Sequence, residues 1–252
     1  MAPTDPIKVI LGALAAVGLL TACQVAADAP SDPSTTPTTP FPAPTATPTP
    51  DPIPTPPQSP SLSTGLTQEE LPRSGPGTYV WASGGTDIIG GERLKTYSVG
   101  VEQGIPIDVE AFAAFVDGTF ADPRSWTADP RRDWGFQRVE RGGIRIVIAS
   151  PVTVDRQCLP LKTEGEVSCA KQGYISLNID RWELAVPHWD KTLREYRRYV
   201  VNHEMGHYLG KRHVGCPEPG ALAPTMMQQT YFLKGCTGNA WPYPEASIGA
   251  AR

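Results

Sequence analysis

The order of apolar and polar positions divides the chain into three stretches of different character. Val9 to Leu20 is almost unbroken in its apolarity (VILGALAAVGLL). From Gln24 to about Gly75 neither a helical nor a strand period is present, and 13 of the 28 prolines fall between Pro30 and Pro60. Periodicity begins beyond Gly77. Thr78-Tyr79-Val80-Trp81 and Leu94 to Val101 alternate as strands do, separated by the turn-prone pairs Gly84-Gly85 and Gly90-Gly91. Asp108 can cap a helix that carries Val109, Phe112, Ala113, Val116 and Phe120 on one face. Ile144 to Ile148 reads as a β-branched strand opened by Gly142-Gly143, and Tyr174 to Ile179 alternates as another. Trp126, Trp134, Trp182, Trp189 and Trp241 read as core or rim packing. A second long helix is expected behind Asp190 as its cap, where Leu193, Tyr196 and Val200 form a stripe that runs into His203 and His207. Imidazoles on an inward face are costly unless something uses them.

The apolar run is too short to span a bilayer and has the length of a signal-peptide core. It ends in Leu20-Thr21-Ala22-Cys23, which resembles the lipobox of bacterial lipoproteins. That resemblance implies a signal peptide over residues 1–22, lipidation of Cys23 and attachment to the outside of the cell membrane. Residues 23–75 then form a Pro/Thr-rich tether in extended polyproline II conformation. About 50 residues at roughly 3.1 Å each reach on the order of 150 Å. The folded domain is expected over 76–252.

Charge narrows the partners. The chain carries a net charge of −4, which argues against nucleic-acid binding. No Lys or Arg occurs between Val9 and Pro72. A near-neutral domain steers no strongly charged partner, and a monomer is expected. With Cys23 set aside, Cys158, Cys169, Cys216 and Cys236 make an even set suited to an oxidising compartment. Three pairings are possible, of which nearest-neighbour bridges, Cys158–Cys169 and Cys216–Cys236, are expected.

The chemistry is concentrated in His203-Glu204-Met205-Gly206-His207-Tyr208-Leu209-Gly210-Lys211-Arg212-His213, which spells HExxHxxGxxH. His203 and His207, four apart on a helix, project from one face and can close on one zinc ion. Glu204 is adjacent but not aimed at the ion, so it can take a proton from water. Gly210 suits a helix end at positive φ, after which the chain can bring back His213. Three protein ligands leave a position open, as in catalytic zinc sites. Gly206 in mid-helix points to close packing there. His188, beside Pro187, reads as a surface residue.

These residues resemble the metzincin clan of zinc-dependent endopeptidases. Ala223-Pro224-Thr225-Met226-Met227 looks like that clan's methionine turn, with Met226 the favoured counterpart and Met227 the competitor. The stretch from Gly77 to Pro244 is also similar to an uncharacterised, secreted zincin-like family of high-GC Gram-positive bacteria. The resemblance implies an α+β zincin-like fold, with a twisted mixed or mostly antiparallel sheet on the active-site helix and a loop-rich C-terminal part. It also implies one Zn²⁺ on His203, His207 and His213, and hydrolysis of peptide or protein substrates with Glu204 as general base. Two departures stand out. The clan often has a tyrosine two residues past the turn methionine, where this chain has Gln228 or Gln229, with Tyr231 a weak substitute. The tether has no cysteine to act as a latency switch. Because the ligands must be neutral imidazoles, metal and activity are expected to fall below about pH 6. A catalytically inactive zinc-binding lipoprotein and a zinc amidase acting on cell-wall crosslinks are the alternatives.

Overall fold

The computed structural model describes residues 61–246. The expected leader, the lipidated Cys23 and the tether up to residue 60 lie outside the described residues. Among the described residues no helix is long and apolar enough to cross a membrane.

The core is a seven-stranded mixed sheet made of β1 (Tyr79–Trp81), β2 (Ile89–Gly90), β3 (Arg93–Glu102), β4 (Trp134–Arg138), β5 (Ile144–Ala149), β6 (Cys169–Lys171) and β7 (Tyr174–Asn178). The order is β2-β4-β3-β5-β7-β6, with β1 paired to the far end of β3. The three central pairings, β4–β3, β3–β5 and β5–β7, are parallel, and β1, β2 and β6 run antiparallel to their neighbours. Parallel strands need crossover connections, and helices supply them. The helices are α1 (Val109–Ala121), α2 (Pro151–Cys158), α3 (Ile179–Leu184) and α4 (Leu193–Tyr208). Strand alternation puts Val99, Val101, Ile146, Ile148, Ile175 and Leu177 on one face. There they share the main core with Phe112 and Phe120 of α1, Trp182 of α3, and Tyr196 and Met205 of α4. The opposite face is covered at one end only, by α2, through Ala149, Val154 and the Cys158–Cys169 bridge.

Residues 61–75, counted with the tether on composition, belong to the packed body instead. Leu71 is buried, and Leu62 and Leu66 pack against the main core. Trp182 Nε1 donates to the Leu62 carbonyl at 2.8 Å, and Arg197 Nη2 to Ser63 Oγ at 2.6 Å. Three leucines spread among Ser, Thr, Glu and Gly carry no period, so only tertiary contact reveals that the segment is folded.

The elements predicted from alternation and capping are present, with two corrections at their ends. Asp108 Oδ1 does accept from Ala111 N at the start of α1. The strand read through Ile179 stops at Asn178, because the Asn178 side chain accepts from Asp180 N and turns the chain straight into α3. Asp190 does not cap the long helix. Thr192 does, in a reciprocal capping box with Glu195, while Asp190 Oδ1 accepts from Gly238 N at 2.9 Å. A Thr192→Ala substitution should cost about 1 kcal/mol. At about 2–4 °C per kcal/mol for a domain of this size, thermal unfolding should read a Tm lower by that amount.

The C-terminal part, from about residue 209, has no named helix or strand. Cys216–Cys236 closes it, and Ala223, Met227 and Cys236 form a small separate core. Both disulfides are the nearest-neighbour pair, in keeping with an extracytoplasmic or secreted protein.

Candidate metal centre

The sequence that builds the site is the last half of α4 and the turn that ends it. Tyr196, Tyr199, Val200, Val201 and Met205 face the core, so the helix face that continues their stripe brings His203 inward. The helix stops in a Schellman turn. Gly210 takes φ of +83°, Gly210 N donates to the His207 carbonyl, and Lys211 N donates to the Gly206 carbonyl, both at 2.9 Å. The reversed chain is held by Lys211 Nζ on Asp129 Oδ2 at 2.9 Å and by Val214 N on the Met226 carbonyl at 3.2 Å. His213 thereby returns to the two helical histidines.

The three rings converge. His207 Nε2 lies 3.2 Å from His203 Nε2 and 2.9 Å from His213 Nε2. His203 Nδ1 is 2.8 Å from the Thr225 carbonyl, and His207 Nδ1 is 3.1 Å from the Lys211 carbonyl. A carbonyl only accepts, so each Nδ1 carries the proton and each Nε2 presents a lone pair. Two lone pairs then face each other at 3.2 Å with no hydrogen between them. Such a cluster repels itself unless a cation sits in it, and the backbone carbonyls are the outer partners that fix metal-ligating rings. The three histidines can therefore hold one metal ion.

Electrostatics agree with that arrangement. Burial pushes the His203 pKa down to about 3, and burial lowers His207 and His213 too, so all three rings stay neutral at pH 7. Burial pushes the Glu204 carboxyl up to about 8, and its Oε2 is buried with no hydrogen-bond partner among the described residues. Glu204 lines a cleft of about 480 Å³ together with the three histidines. One wall of that cleft is the segment Leu161–Ala170, including β6, and the other carries Gln228, Thr230 and Tyr231.

Below the rings the packing is tight. A methyl group at Gly206 would collide with Met226 Sδ and come within 2.7 Å of Trp126 Cζ2. Trp126 is itself fixed by its Nε1 donating to the Asn202 carbonyl at 2.8 Å. Met226 therefore lies against the turn of α4 that carries His203 and His207, whereas Met227 belongs to the small C-terminal core. Gly206→Ala removes a helix-breaking residue worth about 1 kcal/mol but overpacks a site where such insertion costs about 1–3 kcal/mol. A lower Tm is expected for it, against a higher one for Gly118→Ala in α1, where a methyl meets nothing within 4 Å.

The two glutamines past the methionines separate in the same way. Gln229 is buried, with Nε2 donating to the Pro224 and Asn239 carbonyls and Oε1 accepting from Asn239 N. Gln228 lines the cleft. Tyr199, not singled out in the sequence, clamps the turn: its hydroxyl donates to the Met227 carbonyl and accepts from Gln229 N at 2.8 Å. His188 is exposed, as expected, and its Nε2 lies 2.9 Å from the Gln229 carbonyl. The sequence gives no sign of Thr225 and Lys211 as ring supports, because they act through main-chain carbonyls that any residue carries.

Residues 66–244 match the model of DUF3152, a protein family of unknown function. The chain belongs to this family. The match takes in the three histidines, Glu204, both disulfides and the leucines at 66 and 71, so the family segment and the packed body nearly coincide. No curated protein and no solved structure matches the chain.

Proposed function

We propose that this DUF3152 protein is a zinc-dependent endopeptidase of metzincin-like type, acting outside the cytoplasmic membrane. The observation that carries the reading is the convergence of three imidazole Nε2 atoms beside a buried carboxyl that takes no part in holding them. An all-imidazole donor set suits zinc and not magnesium or calcium, which take oxygen ligands. Zinc–nitrogen bonds of about 2.0–2.1 Å in tetrahedral geometry separate nitrogens by about 3.3 Å. The two Nε2 separations of 3.2 and 2.9 Å are close to that.

Bound zinc supplies Lewis acidity, which lowers the pKa of water and polarises a carbonyl. The chain's own groups do the rest. Glu204 accepts the proton of the attacking water and passes it to the leaving amine. The carbonyls of Thr225 and Lys211 keep the His203 and His207 rings aimed. β6 is the outermost strand on its side of the sheet, and it borders the cleft through Cys169 and Ala170. An extended peptide can add to that edge and be held across the histidines. Met226 under Gly206 supports the likeness to a methionine turn.

The test is digestion of a proteome-derived peptide library by the purified zinc-loaded protein, with cleavage sites identified by mass spectrometry. Peptide cuts that vanish on chelation and return with zinc are expected. Stoichiometric zinc without any cut would sink the endopeptidase reading and leave a zinc-binding lipoprotein. Release of amines from cell-wall crosslinks alone would point to an amidase.

A further inference from the structure

We infer that the half of the sheet left open by α2 is a glycan-binding face, built around Trp81. It lies across the sheet from the histidines, and the inference does not rest on the hydrolase reading. Trp81 pairs with Gly100 across β1 and β3, and Ser98 pairs with Arg145 across β3 and β5, so these four positions share one face. The Trp81 ring lies flat on Gly100: a methyl group there would sit 2.9–3.2 Å from ring atoms Cε3, Cζ3 and Cδ2. The absence of a side chain at 100 lets the indole lie down with its other face toward solvent, at 38% exposure. Around it runs a groove of about 790 Å³, the floor formed by Ser98 and one bank by Glu140 and Arg141. Neither Glu140 nor Arg141 joins an ion pair among the described residues. Arg145 at the far side is held over the Tyr174 ring, with Nη1 donating to Tyr174 Oη at 2.9 Å.

The chemistry selects among occupants. A peptide binding by strand addition would use the open edge of β1, beside this face and not upon it, since the main-chain groups of β3 and β5 are committed to the sheet. A nucleic acid needs clustered positive charge, which a chain of net −4 with Glu140 in the same bank does not offer. A lipid surface or a hydrophobic partner needs a continuous apolar patch, whereas this groove alternates one aromatic plate with hydroxyl, carboxylate and guanidinium groups. A pyranose ring has that alternation: an apolar C–H face to stack on the indole and an equatorial rim of hydroxyls. Planar Arg and Glu side chains bind such hydroxyls in pairs. The groove of about 790 Å³ has room for linked sugars, and the disulfides are in keeping with an extracytoplasmic or secreted protein, the setting of extracellular glycans.

The experiment is retention of the full chain on chitin, a β-1,4-linked pyranose polymer, at raised salt, with soluble chitotetraose as competitor. The parent should be retained and released by chitotetraose. Trp81→Ala should bind about five- to tenfold more weakly, with Trp81→Phe in between. Zinc content and Tm are measured on each variant to show that the fold and the cleft are unchanged. A parent that is not retained overturns the inference, as does equal retention of Trp81→Ala. Retention that salt abolishes and chitotetraose does not compete would also overturn it, marking instead an ionic docking face for a protein.

Discussion

A Glu204→Gln protein is expected to hold zinc as the parent does and to cleave a casein-type substrate about 10²- to 10⁴-fold more slowly. The amide keeps the volume of the carboxyl, so the core around it has no reason to move. It is also not needed for the metal, since the three donor atoms are all imidazole nitrogens. What the amide cannot do is accept a proton. In the metal-free protein, burial alone raises the Glu204 pKa to about 8, which keeps the side chain largely protonated at pH 7. A divalent cation held on the neighbouring rings pulls that value down, because an opposite charge favours the carboxylate. The result is a base whose pKa lies near the operating pH, where general catalysis is most effective. Metal analysis and the Tm of the variant separate this outcome from a folding defect. If Glu204→Gln cleaved at the parental rate with zinc bound, some other group would be the base and the role given to Glu204 would be wrong.

The histidine cluster was legible because its information is local. Three histidines and a glycine at fixed spacing on one helix and its turn need no tertiary knowledge, and the stripe through Tyr196 and Val200 shows which way the helix faces. The central strands were legible for a related reason: Ile144 to Ile148 is β-branched and buried at every position except the exposed Arg145, so its pattern survives any context. One miss was local: Asp190 and Thr192 are both good caps, and the Glu195 side chain reaching back three residues to the Thr192 main chain, a capping box spelled in the sequence, decides between them. The other misses depended on contacts between distant segments. Leu71 looks like the end of a linker until the core is present to receive it. The cleft wall from Leu161 to Ala170 is tied by the expected Cys158–Cys169 bridge and also by Asp155 accepting from Gly165 N at 2.8 Å, a contact that does not show as periodicity. The Trp81 plate likewise needs Gly100 opposite it, a pairing across 19 residues of chain that only the β1–β3 register creates.

Loading the metal-free protein with zinc at about 100 times its dissociation constant should raise stability by about 2.7 kcal/mol. For a domain of this size that is about 5–10 °C in Tm, and His207→Ala should abolish the gain. The pH dependence has a definite sign. Burial holds the folded His203 pKa near 3, whereas the unfolded ring titrates near 6.5. Between those values the unfolded chain binds protons that the folded chain refuses, so stability increases with pH across that window. His207 and His213 contribute in the same direction, whereas Glu204, raised by burial to about 8, opposes them down to its ordinary value near 4.5, so the metal-free protein should lose Tm chiefly below about pH 4.5. The same burial divides the three rings: His203 is buried and keeps its lone pair to low pH, whereas His213 is exposed. Zinc loss should therefore begin at His213 and precede unfolding as pH falls. Parallel titrations of bound zinc and of near-UV circular dichroism from pH 8 to pH 4 compare the two midpoints. Coincident midpoints would mean that His213 is shielded from water, contrary to its exposure.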